Sequence, residues 1–381
     1  MKKTFIAAAV AALMLIPGCK NAEKEFEKDM QAYLDEIEAV GTACVVVRDN
    51  QIVYHHNFGV KNLESSEPVD DATIWRIASI SKSFTATGLL QQVEQGRLSL
   101  KDDVSGLIGF KVRNPRFPDT PVTLEMLLSH TSSINDSQGY WSSIDIINPE
   151  VNTDAGLCYN DYEPGSGGYE YSNLNINMAG TILERVSGER FDQYVVNHVL
   201  RPLGLYGGYC VDSLDSSRFA HLYEWNAGEG RYDDTYADAY APRRDKIENY
   251  VMGHDALIFS PTGGMKISAL DLAKYMIMHM NYGTTPDGVR IISEESSRDM
   301  QVERSEPEHY GLSLWLADDY VPGITLVGHT GGAYGLRSAM FFNPEEKYGF
   351  VVICNGHHSP EGVPNVLHGS IERMYKYFIQ K

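Results

Sequence analysis

Trp75-Arg76-Ile77-Ala78-Ser79-Ile80-Ser81-Lys82-Ser83-Phe84-Thr85-Ala86 is the stretch around which the rest of the chain is organised. From Ser79 onward Phe84, Leu89, Leu90 and Val93 recur at helical spacing, and Gly96 offers a C-terminal cap. If Ser79 opens that helix, Lys82 lies three residues on, over the same face and within reach of the serine oxygen. The helix start adds unpaired N–H groups and the positive end of the dipole. A serine hydroxyl is a weak nucleophile until a neighbouring base takes its proton. Lysine serves as that base only where burial or nearby positive charge lowers its pKa from about 10.4. Ser-x-x-Lys arises often by chance, but the chain holds only this one, and two further motifs follow it in order.

The second is Tyr171-Ser172-Asn173, after Pro164-Gly165-Ser166-Gly167-Gly168 and ahead of a helical run. A tyrosine and an asparagine two apart in a turn present a phenol and an amide together. Beside an ammonium, the phenol's pKa is expected to fall toward a value useful for proton transfer. The third is His329-Thr330-Gly331-Gly332 at the end of a strand. Glycines at a strand edge let a substrate backbone come close, and free N–H groups there can complete an oxyanion hole.

In this order and at these spacings the three motifs resemble those of the serine β-lactamase and penicillin-binding family. The resemblance is to the branch holding class C β-lactamases, D-alanyl-D-alanine carboxypeptidases, D-aminopeptidases and related esterases. Leu127-Leu128-Ser129-His130-Thr131-Ser132, Ser260-Pro261-Thr262-Gly263-Gly264-Met265 and Gly328 to Gly332 support it, so it spans roughly residues 40–355. The resemblance implies Ser79 as the acylated nucleophile and Lys82 as its proton acceptor. It implies Tyr171 as the proton shuttle and Asn173 as the group orienting Lys82 and the substrate amide. His329 and Thr330 are implied to contact the substrate carboxylate or side chain, and the N–H groups of Ser79 and Gly332 to form the oxyanion hole. Many β-lactamases carry Lys-Thr-Gly where this chain has His-Thr-Gly, and a histidine is mostly neutral at pH 7. Efficient β-lactam hydrolysis is therefore not expected. Arg337, shortly after the motif, is a candidate for the missing positive charge, or a surface residue.

The implied activity is a serine hydrolase working through an acyl-enzyme on small amide, peptide or ester substrates containing D-amino acids. The alternatives on the same machinery are a β-lactamase and an esterase; the alternative of another class is a non-catalytic penicillin-binding-like sensor. No cofactor is called for. Metal chemistry is disfavoured, because the His55-His56 and His357-His358 pairs would point to opposite faces of a strand. No Gly-x-Ser-x-Gly marks an α/β-hydrolase. A formal charge of −19 argues against a nucleic-acid partner.

Residues 1–18 read as a leader, with Lys2 and Lys3 ahead of an apolar run too short to span a bilayer. Ile16-Pro17-Gly18-Cys19 resembles a bacterial lipobox, which implies lipidation of Cys19 and a membrane-anchored protein of the cell envelope, facing the periplasm or the exterior. Residues 19–28 are then a weakly structured tether. Of the remaining cysteines, Cys158 and Cys210 lie in loop-like surroundings open to pairing, whereas Cys44 and Cys354 read as core.

The expected fold is α/β of the α+β kind: one antiparallel sheet built from both chain ends, flanked by helices, with an inserted, mainly helical region. The α/β domain takes residues 29–97 and 255–381, and the insertion 98–254. Phe26, Met30, Tyr33, Leu34 and Ile37 mark a first helix, followed by a hairpin turning at Asp49-Asn50. Helices are expected over 123–128, 175–186 and 191–200, and from a Ser268 cap to Met280. Strands are expected over 310–316, 324–329, 336–342 and 348–354, before a last helix marked by Ile371, Met374, Tyr375 and Phe378. Residues 206–250 are rich in tyrosine without a long period and read as surface loops or as a tyrosine-lined lid.

Overall fold

The computed structural model describes residues 17–306 and 308–380, with side chains from residue 21. Nearly all of the leader and the Cys19 side chain lie outside these described residues. Helix α1 (Pro17–Glu36) buries Phe26, Met30, Tyr33 and Leu34 on one stripe, with Ile37 just beyond it. The helix includes residues 21–28, which were expected to be weakly structured. Phe26 accounts for the difference: its ring packs edge-on against Tyr54 and Phe378 at 5.2 and 5.1 Å, which ties this part of the helix to the body.

Strands β1 (Gly41–Arg48) and β2 (Gln51–Asn62) turn at Asp49 and Asn50, with φ of 52° and 66°. Two left-handed residues in a two-residue turn match the twist of the strands they join. After the short β3 (Glu67–Pro68) come helices α2 (Ser81–Glu94), α3 (Asn173–Ser187) and α4 (Ala269–Met280). Then follow β4 (Trp315–Val321), β5 (Ile324–Ala333), β6 (Leu336–Asn343), β7 (Tyr348–Cys354) and α5 (Val366–Phe378). The sheet order is β3-β2-β1-β7-β6-β5-β4, with every neighbouring pair antiparallel. Its centre joins the two ends of the chain, Val45 of β1 lying opposite Val351 of β7.

Strand alternation divides the core in two. Ala43, Val45 and Val47 face the large cluster that contains α2 and α4, while Cys44 and Val46 face the cluster built with α1 and α5. Residues 98–254 add no strand to this sheet. Cys44, Cys158, Cys210 and Cys354 are all free and buried, so Cys158 and Cys210 are not paired. The run read as helix over 191–200 is α-helical to Val195 and continues as a wider π-type turn over Val196–Leu200.

One strand is displaced from its expected place. Residues 310–314 do not alternate: Gly311 and Ser313 are buried along with Tyr310, Leu312 and Leu314, Ser313 has φ of 59°, and the Gly311 N–H donates to Leu314 O at 2.8 Å. The segment folds into a turn, and the strand starts only at Trp315. This shift places Tyr310 and Trp315 beneath the third motif.

Candidate active site

Trp75–Arg76 forms a two-residue strand against Lys266–Ile267, which pairs in turn with Gly207–Gly208. The Ile77 N–H donates to Met265 O at 3.0 Å, and Ala78 then takes a left-handed φ of 46°. That conformation is costly for a residue with a Cβ and is held here by the packed surroundings. Ala78–Ile80 is a single 3-10 turn, and the α-helix proper begins at Ser81, two residues later than expected. In a 3-10 turn, side chains three apart eclipse, which favours the meeting of Ser79 and Lys82. Ser81 locks the turn, donating to Ala78 O at 2.5 Å and accepting from the Met265 N–H at 3.0 Å.

Lys82 is fully buried. Its Nζ donates to Ser79 Oγ at 3.0 Å, Asn173 Oδ1 at 2.9 Å and Thr262 O at 3.0 Å, and lies 4.7 Å from the centre of the Tyr171 ring. Burial lowers its pKa to about 7, with the charge of Asp136 pulling the other way. The amine is thus brought to the range where loss and gain of a proton are both easy at neutral pH. Tyr171 departs from expectation. Burial raises its pKa instead of the ammonium lowering it, although the Ser79 hydroxyl beside it opposes the rise. Its ring stacks on Trp315 at 5.8 Å and lies 4.5 Å from that of His130, with one side open to the cleft.

The second motif sits at the start of α3, where Ser172 caps the helix by accepting from the Asn175 N–H at 3.3 Å. The helix starts at Asn173, two residues before the periodic run, because Ser172 and a distant carboxylate satisfy its first N–H groups. That carboxylate is Asp136, for which the sequence carried no signal. It accepts from Ser172 Oγ and the Asn173 N–H, both at 2.8 Å, from Asn173 Nδ2 at 2.9 Å and from the Leu174 N–H at 3.0 Å. The Asn173 amide is fixed from both ends, since its Oδ1 also accepts from Thr262 Oγ1 at 2.7 Å. Asp136→Asn is expected to leave the fold intact and to move the pH at which Lys82 loses its proton downward. The carboxylate stabilises the ammonium, so its removal favours the neutral amine. NMR titration of the Lys82 side chain checks this, and an unmoved midpoint would limit Asp136 to a helix cap.

The third motif requires a correction. His329 was expected to face the substrate; it is fully enclosed by Tyr310, Trp315 and Tyr171, with ring centres 5.8, 4.4 and 6.2 Å away. Nδ1 donates to Thr330 O at 2.5 Å, and Nε2 accepts from the Tyr310 hydroxyl at 3.0 Å. Burial first and Lys82 second lower its pKa to about 3, so it is neutral. Thr330 is half-buried. Gly331 meets the Ser79 turn so closely that a Cβ would sit 2.2 Å from Ile77 O, so only glycine fits. Pairing of β5 with β4 stops at Gly328, leaving the edge from His329 to Ala333 open beside that turn. Arg337 lies opposite Gly332 on β6 with its side chain exposed.

A cleft of about 1000 Å³ opens over Ser79, bounded by Tyr140, Tyr171, Asn173, Thr262 and Gly332. Residues 206–250 do close one side of it, but through Glu224, Arg243, Asp245, Lys246 and Asn249; none of their tyrosines lines it. Tyr240 props the wall from behind: it is buried and its hydroxyl accepts from the Arg76 N–H at 3.2 Å.

The family model described as Beta-lactamase matches residues 26–368. Protein flp of Staphylococcus aureus is 23% identical over 340 residues, covering 88% of this chain; the chain spans 63% of that protein's length. Among solved structures, the octameric penicillin-binding protein homologue from Pyrococcus abyssi is 27% identical with a TM-score of 0.73, over 93% of this chain and 76% of that one. The D-amino acid amidase from Ochrobactrum anthropi SV3, complexed with D-phenylalanine, shares the fold at 19% identity and a TM-score of 0.71, covering 93% and 98%. On the match over residues 26–368, which takes in all three motifs, the chain belongs to the β-lactamase family.

Proposed function

We propose that the protein hydrolyses small amide, peptide or ester substrates containing D-amino acids through an acyl-enzyme at Ser79. The observation that carries this is the hydrogen bond of 3.0 Å between Ser79 Oγ and a buried Lys82 amine whose pKa is about 7. In this reading Ser79 Oγ attacks the substrate carbonyl while its proton passes to Lys82. Tyr171, protonated and half open to the cleft, donates to the leaving nitrogen or oxygen and recovers a proton from Lys82. A water then attacks the ester by the reverse relay. Asn173 holds the amine in place, and the N–H groups of Ser79 and Gly332 receive the oxyanion.

The enclosed, neutral His329 leaves the third motif without the lysine that many β-lactamases carry there, which supports a peptide or amide substrate over a β-lactam. The D-amino acid amidase that shares the fold supports the same choice. The test offers the purified protein a D-amino acid amide, a D-alanyl-D-alanine peptide, a p-nitrophenyl ester and nitrocefin. Turnover of the amide or the peptide with kcat/KM well above that for nitrocefin is expected. The reverse order would make the protein a β-lactamase, and inertness toward all four would remove the activity.

A further inference from the structure

We propose that Arg243, with Arg76 beside it, forms a carboxylate-binding subsite at the far wall of the cleft, so that the preferred substrate carries a free carboxylate. The inference deepens the hydrolase reading and rests on it for the word substrate. Arg243 is half-buried and lines the cleft, yet its side chain has no hydrogen bond or ion pair among the described residues. Its Nε is shielded from solvent and unpartnered. Its backbone is pinned, the N–H donating to Asp212 Oδ2 at 2.7 Å. A guanidinium drawn out of water without a counter-charge is unfavourable, and an entering anion relieves that cost.

Arg76 adds to the demand. It is buried, reaches Gly263 O at 3.0 Å and Ala239 O at 2.9 Å, lies 5.0 Å from the Tyr334 ring centre, and forms no ion pair among the described residues. Burial lowers its pKa, and the charge of Arg243 pushes in the same direction, so the two guanidinium groups repel across one wall. The other charged groups of the cleft are already satisfied. His254 is held by Asp255 at 2.6 Å and Asp145 at 2.9 Å. Glu224, Asp245 and Lys246 are exposed at the rim. The enclosed His329 offers no charge; Arg337 is exposed over Gly332 and donates to Leu336 O at 3.1 Å, whereas the half-buried, unpartnered Arg243 brings a positive charge to the cleft from residues 206–250. A guanidinium also matches a carboxylate with two parallel bonds, which an ammonium cannot do.

The test separates this subsite from the chemistry. Calorimetry on the Ser79→Ala protein compares N-acetyl-D-alanine with its carboxamide, which needs no turnover. The carboxylate is expected to bind on the order of 10- to 100-fold more tightly. Adding Arg243→Gln is expected to erase that ratio, and Arg243→Lys to keep part of it. In the active protein the same pair of end groups on a peptide substrate should differ mainly in KM. Equal binding of acid and carboxamide, or a preference that survives Arg243→Gln, would overturn the subsite. If the preference appears and vanishes as expected while the parent protein turns over no substrate, the hydrolase reading fails and the anion site stands.

Discussion

Ser79→Ala is expected to lower turnover of every accepted substrate by about 10⁴ or more, and to abolish covalent labelling by a fluorescent penicillin or a fluorophosphonate. No other hydroxyl takes its place, because Lys82 Nζ has no second serine or threonine hydroxyl among its partners, only the amide oxygen of Asn173 and the carbonyl of Thr262. The fold should be unaffected. Ser79 is half-exposed in a turn held by its neighbours, through Ile77 to Met265 and Ser81 to Ala78 and Met265. Losing one oxygen there removes one of three acceptors from Lys82 and opens no core cavity. The measurement pairs steady-state kinetics with intact-protein mass after labelling. Retained turnover in a correctly folded variant would exclude Ser79 as the nucleophile.

Lys82→Ala is expected to slow acylation by about 10² to 10⁴, the usual contribution of a positioned base. Its fold should persist. The change removes a buried amine whose charged form is penalised by its surroundings, and Asn173 Oδ1 keeps its bond from Thr262 Oγ1 at 2.7 Å. The pH dependence follows from the same shift. Only the neutral amine accepts the serine proton, and with a pKa of about 7 it is the minor form below pH 7 and the major form above. Acylation in the parent should therefore rise with pH through about 7 and level off, and the variant should lose that rise. For stability the sign is the opposite of a salt-bridged lysine. Below about 7 the fold encloses an ammonium, and as pH climbs from there toward the unfolded value of about 10.5 that penalty is relieved. Stopped-flow acylation across pH 5.5–9 decides the matter; an unchanged rate and profile in Lys82→Ala would remove the amine from the mechanism.

Much of the architecture was legible in the chain because it depends on short-range pattern. Continuous apolar runs made β1 and β7 recognisable, the Phe26-to-Ile37 spacing marked α1, and Asp49-Asn50 accepted the left-handed turn. Ser79 and Lys82 are three residues apart, so local geometry alone brings them together. Failures arose where a long-range contact outweighed the local pattern. Phe26 made a helix of the supposed tether, and the turn at Ser313 delayed β4, though the composition of residues 310–316 suits a strand.

Asp136 and Arg243 mark the limit most clearly. Each sits in a loop without a motif, and each acts on the site through distances that only the folded chain defines: one fixes Asn173 from 37 residues away along the chain, the other reaches the cleft from the far side of the helical region. The protonation states belong to the tertiary structure as well, because burial moved Lys82 to about 7, kept Tyr171 protonated and made His329 neutral. By itself, the order of residues determined which chemical groups are present and which of them meet as near neighbours. Which groups are dry, which are charged and which face the substrate depended on how far each is withdrawn from water, and that is a property of the packed molecule alone.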